Sequence, residues 1–191
     1  MTVLSPLQLL RALVLLPGLW SEQAGLPSPV PAMTPPGIYL QAHQPDLRWP
    51  VLHLCVRITP SAQERWHRAR PDLFRQQDAN GRWFTTLGAG NEGDKLLPDF
   101  NRPRDVDQEK RWSLALGFGP KVGEDLAIER LLCAAENAPR DLPFDTTAEN
   151  GGKNCNSFVA GVLNASGAVW PELAKSRRVW GAQYPVSVQG L

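Results

Sequence analysis

The alternation of apolar and polar positions predicts several short strands in the first part of the chain and longer helices in the second. Apolar and β-branched residues cluster in four runs typical of strands, at residues 38–40, 51–58, 83–87 and 112–116. A helical repeat of apolar positions occurs over residues 124–137 and 154–166, and residues 61–70 predict a shorter polar helix. Residues 91–107 are rich in Asn, Asp, Arg and Pro, so we expect mostly loop there. Together these elements predict an α+β domain with a small, mainly antiparallel sheet against two or three helices.

The last predicted helix begins with a cysteine. Gly151 and Gly152 interrupt the preceding element, and Asn154 is a good N-cap because its side-chain oxygen accepts an early backbone N–H. Cys155 therefore falls in the first turn, where unpaired N–H groups and the helix macrodipole favour negative charge. The thiolate is the form that attacks carbonyl carbons. We predict Cys155 as a catalytic nucleophile.

A thiolate needs a base or an ion-pair partner, and the chain has three histidines. His53 lies in the β-branched run 51–58, where alternation places it on one face with Cys55. His43 stands near a strand-ending proline and His67 in a polar helix, and both positions favour a structural role. His53 is therefore the predicted base.

A strand histidine followed late in the chain by Asn-Cys-Asn-x-Phe at the start of a helix resembles the circularly permuted papain-like proteins. That group includes NlpC-type peptidases, PPPDE peptidases and lecithin–retinol acyltransferase-like enzymes. Papain-like folds place the cysteine helix before the histidine strand, and the permuted members reverse that order, as this chain does. The resemblance covers the strand around His53 and the helix from Asn154. It implies a permuted papain-like domain with Cys155 as nucleophile and His53 as base.

Such folds use a third polar group, from the strand after the histidine strand, to orient the imidazole. The next strand-like run here offers Thr85 or Thr86, and we name Thr85 as the candidate. The backbone N–H of Cys155, beside the Asn154 cap, is the expected oxyanion donor, together with a second donor that the sequence does not identify.

Three functions are consistent with this reading. The first is a cysteine hydrolase that cleaves an amide bond, with a peptide or peptidoglycan substrate in a bacterial envelope as the version that the resemblance implies. The second is an acyl or lipid thioesterase or acyltransferase of the same fold. The third is a non-catalytic binding module in which Cys155 is buried. No cofactor is expected for any of them.

Composition narrows the possible classes of function and of site further. The chain has 191 residues, 42% of them hydrophobic, and a formal net charge of +1, which is typical of one globular domain and gives no reason to expect nucleic-acid binding. Three widely spaced cysteines do not predict a disulfide framework. His53 and Cys55, with Cys133 or Cys155, are the alternative metal ligands. No Cys-x-x-Cys or His-Glu-x-x-His spacing is present, so no metal site is predicted.

The N-terminal region divides into two predicted segments. Residues 1–25 are largely apolar and are either a signal peptide or a helix docked on the domain, and residues 1–20 are the candidate for membrane contact. Residues 26–36 are a proline-rich linker of extended character. The domain itself is expected over residues 37–191. A signal peptide favours the bacterial envelope or secretion over the cytoplasm.

Overall fold

The computed structural model describes residues 35–44, 51–148, 151–169 and 179–188. The first strand begins at Gly37, which is where the sequence places the start of the domain. The predictions for residues 1–25, and for all but the last two residues of the linker 26–36, lie outside the described residues.

The core of the fold is an antiparallel sheet, as the sequence predicts. Within the described residues its strands follow the order β6-β1-β2-β4-β5-β8, with β3 added beside β4, and β7 pairs with β9 separately. The strands are β1 (Gly37–His43), β2 (His53–Thr59), β3 (Gln76–Gln77), β4 (Trp83–Glu92), β5 (Lys95–Phe100), β6 (Trp112–Ala115), β7 (Gly117–Phe118), β8 (Leu142–Pro143) and β9 (Ala168–Val169).

Four helices accompany the sheet in the described part of the chain, two of them short. They are α1 (Gln63–Ala69), α2 (Pro103–Asp107), α3 (Glu124–Glu136) and α4 (Cys155–Ser166). The α+β class and the three predicted helices are confirmed, and α2 is the additional one. No helix among the described residues combines the length and the apolar character needed to cross a bilayer.

The long helices α3 and α4 bury their apolar faces together against the sheet. Ile128 and Leu131 of α3 and Leu163 of α4 are fully buried, with Leu54 and Ile58 of β2 beneath them in the same core. The C-terminal segment 179–188 crosses α4 at Gly161, where an added Cβ would lie 2.3 Å from the carbonyl oxygen of Val186. The C-terminal segment therefore packs closely against α4.

The expectation that residues 91–107 are mostly loop is wrong. Strand β4 continues to Glu92, turns at Gly93 and returns as β5, and α2 follows directly. The Asn, Asp, Arg and Pro residues that favoured a loop lie instead in a β-hairpin and a short helix, and the glycines of β4 provide space for that helix. A Cβ on Gly88 would lie 2.0 Å from Oδ2 of Asp105, and one on Gly90 would lie 2.0 Å from Nη2 of Arg102.

Candidate active site

Helix α4 begins as the sequence predicts. Asn154 is its N-cap: its side-chain oxygen accepts the Ser157 N–H at 2.9 Å, and the Asn154 N–H donates back to the Ser157 hydroxyl at 3.3 Å. The Asn154 amide group donates to the carbonyl oxygens of Thr146 and Trp180, at 2.9 and 3.0 Å. Because both amide hydrogens are used, this side chain is a cap and not a free oxyanion donor, which leaves the Cys155 N–H in that role.

Asn156, the second asparagine of the motif, joins α4 to the histidine strand. Its side-chain oxygen accepts the Leu54 N–H at 2.8 Å, and its amide donates to the Leu52 carbonyl at 2.9 Å. Those two backbone groups flank His53 in the chain. The residue next to Cys155 therefore holds the backbone on both sides of His53. The sequence reading missed this role, although the residue lies within the motif.

The structure brings Cys155 and His53 together. Cys155 and His53 line the same cleft, and Nε2 of His53 lies 2.9 Å from Oδ1 of Asp105. The Cys155 thiol itself contacts Oδ1 of Asn156 at 3.7 Å. His53 is the first residue of β2, Asp105 lies in α2, and Cys155 opens α4. Three separate elements thus bring a thiol, an imidazole and a carboxylate to one site.

The charges around His53 favour the protonated form of its imidazole. Burial lowers the pKa of His53, but the charge of Cys155 and the hydrogen bonds to Asp105 and Cys155 outweigh burial and raise that pKa to about 10. Burial raises the pKa of the Asp105 carboxyl, and the hydrogen bond and charge of His53 reverse this and hold it below its usual value. Both shifts describe an imidazolium held by a carboxylate.

His43 is a second buried histidine beside the first. It pairs directly with His53 across β1 and β2, and the two ring centroids are 4.6 Å apart. Burial, followed by the charges of His53 and Lys110, lowers the pKa of His43 to about 3. Neither of its ring nitrogens has a hydrogen-bond partner among the described residues, and Nε2 lies 4.0 Å from Oδ1 of Asp105. His43 is therefore a neutral ring that fills the space behind His53.

The prediction of Thr85 as the orienting group is wrong. Thr85 pairs with Ile58, near the far end of β2 from His53, and its buried hydroxyl has no hydrogen-bond partner. Asp105 is the residue that contacts the imidazole. The signal that could have found it is Pro103, because proline at the first helical position places Asp105 in the first turn of a short helix.

The ligand-type atoms of His43, His53 and Asp105 lie within 4.8 Å of one another, so these three residues could hold a metal ion. This set shares His53 with the metal ligands weighed from the sequence, but His43 and Asp105 stand in place of the cysteines. Of those, Cys55 is fully buried, and burial raises the pKa of its thiol, while Cys133 lies on α3. Arg102 and Lys110 lower the pKa of His43, and the same positive potential opposes a divalent cation at this position.

The site borders a cleft of about 180 Å³. Cys155 and His53 lie on its surface, and its apolar lining includes Val51, Leu52, Phe144 and Trp180. Trp180 is 38% exposed, so its ring is accessible to a bound molecule. Cys155 and His53 are thus accessible from solvent beside an apolar surface.

Comparison with known proteins adds no relative: no protein-family model, curated protein or solved structure matches the chain.

Proposed function

We propose that this chain is a cysteine hydrolase that cleaves an amide bond through a thioester on Cys155, with His53 as the base. The observation that carries the proposal is that Cys155 and His53 line one cleft, with the His53 imidazole hydrogen-bonded to Asp105. A nucleophile, a base within hydrogen-bond reach and a third group that orients the base are the parts that covalent acyl transfer requires.

Each residue has one role in the reaction. The Cys155 thiolate attacks the amide carbonyl carbon, and the His53 imidazolium then gives its proton to the nitrogen that leaves as an amine. The product is a thioester on Cys155. His53, now neutral, takes a proton from water, whose oxygen attacks the thioester; a carboxylic acid and the Cys155 thiolate are released, and the thiolate–imidazolium pair is restored. Because Nε2 of His53 faces Asp105, Nδ1 is the ring nitrogen that exchanges the proton.

Asp105 and the start of α4 prepare the charges for this reaction. The Asp105 carboxylate stabilises the imidazolium and fixes the orientation of the ring, as the third residue of a triad does. The Cys155 N–H at the start of α4 is the donor for the oxyanion that forms on the carbonyl oxygen. The apolar surface at Trp180 and Phe144 supports the second candidate, an acyl thioesterase or acyltransferase, which uses the same thioester intermediate.

The test is the rate of iodoacetamide alkylation at Cys155 as a function of pH, read by mass spectrometry. Cys133 is the internal reference because it is half-buried, whereas Cys55 is fully buried. We expect fast labelling of Cys155 below pH ~8.5, where an ordinary thiol ionises, and a large loss in His53→Ala. If Cys155 labels no faster than Cys133, and His53→Ala changes nothing, the chain is a non-catalytic binding module.

Substrate screening then separates the two catalytic candidates. Peptidoglycan peptides are the first amide substrates to test, since the resemblance implies them, and p-nitrophenyl acyl esters and acyl thioesters represent the alternative. Cys155→Ala is expected to abolish turnover, and Cys133→Ala, a matched substitution on α3, is expected to keep it. Turnover of acyl thioesters with no release of amine from any peptide would replace the amidase by the second candidate.

A further inference from the structure

An arginine at the cleft stands out because its charge is not neutralised. Arg102 is half-buried, precedes α2 as its N-cap residue and lines the cleft with Cys155 and His53. Its guanidinium lies over Gly90 of β4, where a Cβ would be 2.0 Å from Nη2. The glycine thus leaves room for the guanidinium against the backbone of the strand.

Among the described residues, four arginines form ion pairs, and Arg102 is one of those that do not. The paired ones are Arg57 with Asp78, Arg65 with Asp125, Arg70 with Asp72 and Glu136, and Arg82 with Asp78. The carboxylate that interacts with Arg102 is Asp105, which already bonds His53. Nη1 of Arg102 is buried without a hydrogen-bond partner in the described structure. The charge of Arg102 is therefore available to a ligand.

The rest of the cleft lining adds positive charge and no negative charge. Arg104, which is exposed, lies on the same cleft, and no described aspartate or glutamate lines it. When Cys155 is alkylated or acylated, the cleft lining carries the charges of Arg102 and Arg104. Such a potential attracts an anion and repels a cation.

We propose that Arg102, assisted by Arg104, binds a carboxylate of the substrate close to the bond that Cys155 attacks. Arginine suits this role because its planar fork of N–H donors matches the two oxygens of a carboxylate. This inference rests on the proposed function, since it assigns the substrate of the same thiol. It identifies the substrate class as an amide or thioester with an acidic group next to the reacting carbonyl.

Two alkylating reagents that differ in one group test the proposal. Iodoacetate and iodoacetamide react alike: the Cys155 sulfur displaces iodide from the CH₂ carbon, and only iodoacetate carries a carboxylate beside that carbon. The readout is the ratio of the two second-order rate constants at Cys155. Any effect of a substitution on the thiolate itself alters both rate constants and cancels in the ratio.

We expect Arg102→Gln to lower the iodoacetate-to-iodoacetamide ratio about three- to five-fold, the size of one partly exposed ion pair. Arg102→Lys keeps the charge and should retain most of the ratio, and Arg104→Gln should cause a smaller fall. Arg68→Gln is the matched control, because it removes the same charge from an exposed position on α1. Raising the salt concentration should lower the wild-type ratio, and lower that of Arg102→Gln, which keeps Arg104, to a smaller extent.

A wild-type ratio in both Arg102→Gln and Arg104→Gln would overturn the proposal, even where iodoacetamide still shows a reactive Cys155. An equal fall in Arg68→Gln would also overturn it, since the effect would then follow net charge and not the cleft. If Arg102→Gln does not fold, two other measurements test the proposal: the iodoacetate-to-iodoacetamide ratio of the exposed Arg104→Gln variant and the salt dependence of the wild-type ratio. Failure of the proposed function is seen separately, as a Cys155 that iodoacetamide does not label faster than Cys133.

Discussion

Replacing Asn156 by alanine tests whether the residue after the nucleophile positions the base. The substitution removes four hydrogen bonds: from the Leu54 N–H and the Cys155 thiol, at 2.8 and 3.7 Å, and to the Leu52 and Trp180 carbonyls, at 2.9 and 2.9 Å. Asn156 is 3% exposed, so water does not replace its amide without a rearrangement. The backbone on both sides of His53 loses its attachment to α4.

The expected destabilisation follows from the groups left without a partner. The Trp180 carbonyl also accepts the Asn154 amide, so it stays satisfied and contributes little. The Leu54 N–H and the Leu52 carbonyl lose their bonds to the side chain, and each unsatisfied buried group costs about 1–3 kcal/mol. We therefore expect Asn156→Ala to lower the free energy of unfolding by about 2–6 kcal/mol.

Two assays separate the structural effect from the catalytic one. Urea unfolding measures the loss of stability, and iodoacetamide alkylation under fully folding conditions measures the reactivity of Cys155. Asn164→Ala is the matched control, because Asn164 is exposed on the same helix, and a change within about 0.5 kcal/mol is expected there. The positioning argument is refuted if Asn156→Ala unfolds like Asn164→Ala and its Cys155 keeps the wild-type rate of alkylation and the wild-type pH profile.

Three further predictions concern the groups around the base. Asp105→Asn removes the carboxylate from His53 and should slow Cys155 alkylation at pH 7 by about 10- to 100-fold, since a hydrogen bond to a charged group contributes about 1.5–3 kcal/mol; an unchanged rate would remove Asp105 from the mechanism. Gly88→Ala places a Cβ against the Asp105 carboxylate and should slow alkylation in the same way, whereas Gly119→Ala, where nothing lies within 4 Å of the new atom, should not. The pKa of His43 is lowered to about 3, so between that pH and ~6.5 the unfolded chain binds a proton that the native ring does not. Stability should therefore fall as pH falls through this window, by at most ~1.4 kcal/mol per pH unit from this residue, and His43→Gln should reduce that slope in urea unfolding measured from pH 7 to pH 4; an identical slope would contradict the lowered pKa.

The elements that the sequence predicts correctly are those whose signals lie within a few neighbouring residues. The start of α4 follows from Gly151, Gly152, an N-cap asparagine and apolar residues at helical spacing, and the structure shows the same cap. Strand β2 follows from its β-branched residues, and the position of His53 on it was therefore available from the sequence. Helix α3 follows from its buried stripe of alanine, isoleucine and leucine.

The parts that sequence reasoning missed depend on contacts between distant residues. Asp105 is 52 residues from the histidine that it holds, and it reaches that histidine because β4 carries Gly88 where a side chain would collide with its carboxylate. Read alone, the glycines of β4 and the prolines and charges that follow indicate a loop. Their pairing as a hairpin and the packing of α2 give them a different meaning. The role of Asn156 is likewise invisible until β2 lies beside α4, 102 residues away.

The sequence by itself identified Cys155 and His53 as candidates for the chemistry and indicated how each lies in its own element, because helix caps and strand alternation are local interactions. The tertiary structure decided the third group of the site, the positioning of the base and the charge of the cleft. Those properties arise from side chains that meet across the sheet, where burial and close approach set the strength of each interaction.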